Sequence, residues 1–338
     1  MRRKLSFNEK HKLRLIFKAQ GRSYVRHVRA YKTCARRKII SKVIPSNFKA
    51  LSNQQEVFTF ISELLDIHTN RKIKHIYLNM KDVVGLDSAA VCLLLSVVSE
   101  LNYHGIKISG NFPDNYDCAK YLVDSGFLNH MKDSQGRNFN IDSPNFIVET
   151  GKDKTRNKVI GLSIRKAIGH LLGTFPQRYQ PAYTVAMEIC SNSVEHAYND
   201  KPNLVHWKLG IHKKEDSISF TMSDTGTGIL NTLHRKFWKE IKDEITFRNN
   251  SDILYRAFLR KYGSTTQLVN RNRGLPCILD KFQNKLIKNL KIITNNVYLD
   301  FNNINDRKEV NYSFPGVLFY WEVDKECIEN FMNTNQES

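Results

Sequence analysis

Apolar residues recur along the chain with two different periods. From Gln54 to Ile67, Val57, Phe58, Ile61, Leu64 and Leu65 return every three or four positions, which predicts a helix, while Ile73 to Met80 (IKHIYLNM) alternates as a strand does. Ser88 to Tyr103 is apolar almost without interruption and predicts a helix. A short strand over Ile106 to Gly110 follows, then a helix over Asn115 to Ser125 closed by Gly126. This alternation predicts a small α/β unit with a parallel sheet. Residues 132–158, with Asp133, Ser134, Gly136, Pro144, Gly151 and Asp153, are polar and turn-rich and are expected to form a linker or crossing segment.

A second unit opens with a helical run from Val159 to Phe175. Pro181 then suits the first turn of a helix reaching about Tyr198. Strands over Leu204 to Ile211 and Ser217 to Ser223 flank the charged turn His212 to Asp216, and the Gly-rich loop Asp224 to Gly228 ends that hairpin. Residues 231–272 are charged and partly helical, the place expected for a mobile lid. A helix from Pro276 to about Leu290 and strands near Lys291 to Phe301 and Gly316 to Val323 complete the layer. With 338 residues, two domains are expected. The boundaries are an arm over 1–45, an α/β unit over 46–131, the linker over 132–158, a second α/β unit over 159–325 and a tail over 326–338.

Charge changes the picture at the N-terminus. Residues 1–45 carry fifteen Lys and Arg against the single acid Glu9, so +14 of the net +19 resides there. Leu13, Ile16, Phe17, Tyr24, Val25, Val28 and Tyr31 recur between the basic residues and predict short amphipathic helices. Such an arm suits contact with nucleic acid. A helix docked on the body or a contact with an acidic partner accounts for it equally, because charge alone reads no base sequence. The six cysteines form no C-x-x-C pair and read as buried thiols in a reducing compartment. The longest apolar run, Ala89 to Val98, is about half of the roughly 20 residues that span a bilayer. The basic N-terminus lacks the apolar core of a secretory signal, so no membrane partner and a cytoplasmic location are expected.

Candidate chemistry centres on VAMEICSNSVEHAY. Glu188, Asn192 and His196 are four residues apart, so on a helix they share one slowly drifting face, with Val185, Met187, Ile189 and Val194 left for packing. An amide oxygen suits magnesium, and a carboxylate one turn away can take a proton from a nucleophile attacking a phosphate. The same spacing also describes a wet helix face. One hairpin later comes SDTGTGI, in which Asp224 at a strand end offers an acceptor for an exocyclic amine. Gly226 and Gly228 permit positive φ and close backbone approach.

These two motifs, in this order and about 30 residues apart, resemble the GHKL ATPase superfamily of gyrase, MutL proteins, histidine kinases and anti-sigma-factor serine kinases, the last most of all. The resemblance covers about 159–325. It implies a Bergerat-fold α/β sandwich with a mixed sheet that binds ATP and magnesium, with Glu188 as base, Asn192 as magnesium ligand, Asp224 as adenine reader and His196 as a polar contact near the phosphates. A satisfied core histidine accounts for His196 equally well. GSTT (Gly263 to Thr266) and NRNRGLPCIL (Asn270 to Leu279) resemble the lid and phosphate-cradling segment, which adds Thr266, Arg273 and Gly274 to the nucleotide-binding set. Pro276 stands where that family has a second glycine, and Val317 where it has threonine.

IYLNMKDVVGLDSAAVCLLLSVVSEL (76–101) and the later LVDSGFLNH resemble the STAS domain of anti-sigma-factor antagonists, over about 46–131. That likeness implies a small α/β sandwich with Ser88 as a candidate phosphoacceptor, although Asp87 or Ser88 also serves simply as a helix cap. Together the resemblances imply an ATP-binding regulatory protein, an ATPase or serine kinase switch acting on a protein partner, with a homodimer as the expected assembly. The alternative is a nucleotide-gated module that closes on nucleic acid or a partner through residues 1–45.

Overall fold

The computed structural model describes residues 38–70, 72–133, 135–152, 154–196, 206–235, 249–259 and 274–336. Most of the basic arm, the part of the expected lid that holds Thr266, and Arg273 just after it lie outside the described residues. The last positions assigned to the arm belong to a strand, β1 (Lys38–Val43). There follow β2 (Asn47–Phe48), α1 (Gln54–Asp66), β3 (Ile73–Asn79), β4 (Gly85–Leu86), α2 (Ser88–Tyr103), β5 (Lys107–Gly110) and α3 (Tyr116–Asp124). Strands β1, β3 and β5 form a parallel sheet in the order β1-β3-β5, and β2 pairs in parallel with β4. The helix ends follow local chemistry. Asp87 caps α2 through its Oδ1, which accepts from the Ala90 amide at 2.6 Å, and Asn115 caps α3 through Cys118 N at 3.0 Å. Gly126, at φ 69°, turns the chain after α3.

The remaining elements are β6 (Phe146–Lys152), α4 (Asn157–Leu172), α5 (Gln180–His196), β7 (His206–Lys213), β8 (Ser217–Asp224), a helical stretch over 229–235, α6 (Asn250–Phe258), α7 (Gly274–Gln283), β9 (Lys288–Asp300), β10 (Lys308–Asp324) and α8 (Lys325–Gln336). The sheet order is β6-β7-β8-β10-β9, and every neighbouring pair is antiparallel. This corrects the expected mixed sheet: β6 and β7, joined through α4 and α5, pair antiparallel, and β10 inserts between β8 and β9 antiparallel to both. The expected linker contains β6, an edge strand of this sheet, and the expected tail is helix α8. Helix α7 is shorter than its apolar pattern implied, because Lys285, just past its end, takes a left-handed φ of 55° and turns the chain toward β9.

The two sheets sandwich α1 and α2, and α4 to α7 cover the far face of the larger one. One core joins α4 and α5 to Trp207, Phe220, Met222 and Trp321. The other joins α1, α2 and the small sheet to Phe146, Tyr312, Phe314 and Leu318 of the large sheet, with Phe58 packed edge-on to Phe314 at 5.1 Å. Every residue of α2 from Ser88 to Val98 is therefore buried, as an all-round apolar helix must be. On β7, Gly210 faces it: an added Cβ there would be in ordinary contact with Cys92 Cβ at 3.5 Å and crowd the Phe146 ring of β6 at 3.3 Å. Among the described residues no helix is long and apolar enough to cross a membrane.

Cys92→Leu is expected to lower stability by about 1–3 kcal/mol in urea unfolding, since the backbone of β7 cannot give way, and Cys92→Ala by less. Burial pushes the Cys92 thiol up to about 12, so in the folded wild type it should resist a thiol-labelling reagent until the layers separate.

Candidate functional site

Helix α5 buries a stripe of Ala182, Val185, Ala186, Ile189 and Cys190, and Met187 and Val194 pack at its margin. Glu188 and Asn192 are half-buried on a different face. Glycine at the start of α7 meets that face: a Cβ added to Gly274 would lie 3.1 Å from Glu188 Oε2 and 3.2 Å from Asn192 Nδ2. Any side chain at 274 would thus occupy the space in front of the carboxylate and the amide. Burial, with the nearby Glu195 charge, raises the Glu188 carboxyl above the usual carboxylate range, the direction that suits a proton acceptor near neutral pH. Pro276 sits buried in the first turn of α7, where its missing N–H breaks no helical bond.

Asp224 is the last residue of β8 and only 2% exposed. Its Oδ2 accepts from Ser193 Oγ of α5 at 2.6 Å and its Oδ1 from the Gly226 amide at 2.9 Å, with the Val317 amide as a further donor. A carboxylate has about four acceptor directions, so roughly one is left for a ligand donor. Burial outweighs these bonds and pushes the carboxyl up to about 6. The loop beyond it is fixed from β9: Thr294 Oγ1 accepts from Ile229 N at 3.0 Å, and Asn295 accepts from Leu230 N at 3.1 Å and donates to the Thr227 carbonyl at 3.1 Å. Of the two loop glycines, only Gly228 takes positive φ, 83°, and a Cβ on it would strike Asn295 at 2.4 Å. Gly226 is needed for its amide and its buried place rather than for a left-handed turn. Gly316 lets β10 press on the loop, since a Cβ there would stand 2.3 Å from the Asp224 carbonyl oxygen.

Helix α5 thus meets two of the other segments: Gly274 of α7 lies against Glu188 and Asn192, and Ser193, next to Asn192 in the chain, holds Asp224 and through it the Gly226 amide. His196 is the last residue of α5, and its side chain lies outside the described residues, as do Thr266 and Arg273. Ser88 is elsewhere. It is 7% exposed at the start of α2, its Oγ 3.5 Å from Ser219 Oγ of β8, so a phosphoryl donor reaches it only if the layers part. Among the described residues no group of three or more His, Cys, Asp or Glu side chains is arranged to hold a metal ion. Ser193, Thr294, Asn295 and Gly316 are site residues that the motifs did not single out. Ser193 carried a signal nonetheless, as a hydroxyl within an otherwise apolar helix stripe that must find a buried partner.

Asp224 binds its proton more tightly folded than unfolded. The stability it contributes is therefore fully present below the ordinary carboxylate value of 3.8 and is lost as the pH rises through about 6. Asp224→Asn should raise the melting temperature relative to wild type at pH 7.5 and give no such gain at about pH 3, below both carboxyl values. A scan of Tm against pH for both proteins measures this. Neither a comparison with models of known protein families nor one with curated protein sequences finds a match to this chain.

Proposed function

We propose that the chain binds ATP with magnesium in a Bergerat-type pocket and works as a regulatory ATP switch on a protein partner. The architecture that goes with this reading is a STAS-like unit over 46–131 docked by its helices on a GHKL-type unit over 159–325. The observation that carries it is that α5 meets two segments distant from it in sequence: the bare Gly274 at the start of α7 lies against Glu188 and Asn192, and Ser193 holds Asp224 at the head of the Asp224–Gly228 loop.

The residues fit such a ligand. Asn192 offers a hard amide oxygen, too few ligands alone for magnesium, which commonly completes its shell with waters and nucleotide phosphates. Asp224 is held rigid with an acceptor direction to spare, as recognition of an exocyclic adenine amine requires. Glu188 stands beside both Asn192 and Gly274 and can take the proton of an attacking hydroxyl. ATP, when bound, supplies the γ-phosphoryl group, and magnesium neutralises charge on its oxygens. Burial of Ser88 favours water or a partner's hydroxyl over this chain's own Ser88 as acceptor.

Calorimetric titration with ATP, with and without magnesium, tests the reading. Wild type should bind with a magnesium-dependent affinity. Asn192→Ala should lose that dependence, and Asp224→Asn should weaken binding at least about tenfold, or ~1.4 kcal/mol. Glu188→Ala should keep binding and lose turnover by about 10²–10⁴-fold. Absence of any nucleotide heat with wild type ends the proposal.

A further inference from the structure

Helix α2 and strand β8 are held in one register by a ladder of polar contacts. Ser88, Cys92, Ser96 and Glu100 stand four residues apart on α2, and Ser219, Thr221, Ser223 and Thr225 stand two apart along β8 and the loop after it. They meet in order. Ser88 Oγ is 3.5 Å from Ser219 Oγ, Cys92 Sγ donates to the Thr221 carbonyl at 3.5 Å, and Ser96 Oγ donates to the Ser223 carbonyl at 3.4 Å. In the last rung, Thr225 Oγ1 donates to Glu100 Oε2 at 3.1 Å. The match works because four helical residues advance ~6 Å and two strand residues ~6.6 Å, so the pairing drifts only ~2 Å over three steps.

The last rung differs in kind from the others. Glu100 is a carboxylate only 7% exposed between the layers. Its other oxygen meets His104 Nε2 at 3.1 Å, and the His104 ring stacks on His68 at 4.4 Å. Thr225, its partner on the other layer, directly follows Asp224. The loop that β9 grips through Thr294 and Asn295 is therefore also gripped from the N-terminal unit.

We propose that Glu100 is a positioning residue for the Asp224–Gly228 loop. By holding Thr225 from α2 it sets the backbone that presents Asp224 and the Gly226 amide, and it couples occupancy of the pocket to the docking of residues 46–131. The functional consequence rests on the nucleotide reading above. The coupling is reciprocal: a ligand that favours the held loop favours the docked α2 by the same free energy.

Amide hydrogen exchange of residues 225–229 without nucleotide, paired with Mg-ATP affinity, tests this. Glu100→Leu and Thr225→Val should each speed loop exchange and weaken Mg-ATP about tenfold, and the double variant should be no weaker than either alone. Glu100→Gln, which keeps an oxygen acceptor, should stay within about twofold of wild type. Unchanged loop exchange in Glu100→Leu overturns the proposal, as do additive losses in the double variant. Should Glu100→Leu not fold, Thr225→Val against Thr225→Ser carries the same comparison, serine restoring the hydroxyl. If wild type takes up no Mg-ATP while Glu100→Leu still frees the loop, the positioning role stands and the nucleotide reading falls.

Discussion

Burial of α2 on both sides is the constraint from which the rest of the molecule follows. An α/β unit with one sheet and helices on one face leaves those helices half-wet unless something covers them. Here the cover is the five-stranded sheet, whose own second face carries α4 to α7. Small groups line the contact, where Cys92 lies against Gly210 and Ser88, Cys92 and Ser96 meet the Ser and Thr residues of β8. Because α2 cannot shift without disturbing both layers, the end of β8 is held where α5 can reach it. Ser193 then fixes Asp224, and the loop geometry follows.

The helices of the first unit and strands β3 and β5 were legible in the sequence because each carries its own local signal, whereas β1 was counted with the arm and the two-residue β2 and β4 left no pattern. Ser88 to Tyr103 is apolar all round, Asp87 and Asn115 cap, and Gly126 turns. The face of β8 was not legible in the same way. Ser-Ile-Ser-Phe-Thr-Met-Ser alternates as a strand with one wet side does, yet Ser219, Thr221 and Ser223 are each about 1% exposed. Period-two alternation reports which side is apolar and cannot report that another layer covers the polar side, where Cys92 and Ser96 reach the Thr221 and Ser223 carbonyls and the Thr221 and Ser223 hydroxyls are left without a hydrogen-bond partner. The polar stretch 132–158 hid β6 for a related reason: an edge strand exposes one margin and part of a face, so its composition reads as loop.

At the candidate site, motif spacing picked out Glu188 and Asn192, which share a helix face against Gly274, and Asp224 with the glycines of its loop. It passed over Ser193, Thr294, Asn295 and Gly316, which hold the loop in place. Such supporting residues answer to tertiary contacts formed across long stretches of chain, as between Ile229 and Thr294, and leave no local periodicity. The same holds for Gly316, whose bare α-carbon matters only because the Asp224 carbonyl lies against it.

The packing of α1 against β10 sets an order of events during synthesis. Phe58 meets Tyr312 and Phe314, and the Ser62 hydroxyl bonds the Ser313 carbonyl across 251 positions of chain. Residues 38–131 leave the ribosome long before the strand that covers their helices exists. At roughly 5–20 residues per second, that apolar face waits on the order of ten seconds or more for its cover. The nascent first unit is thus a sticky intermediate rather than a finished domain. Maturation of the protein depends on keeping it apart from other chains until β10 arrives.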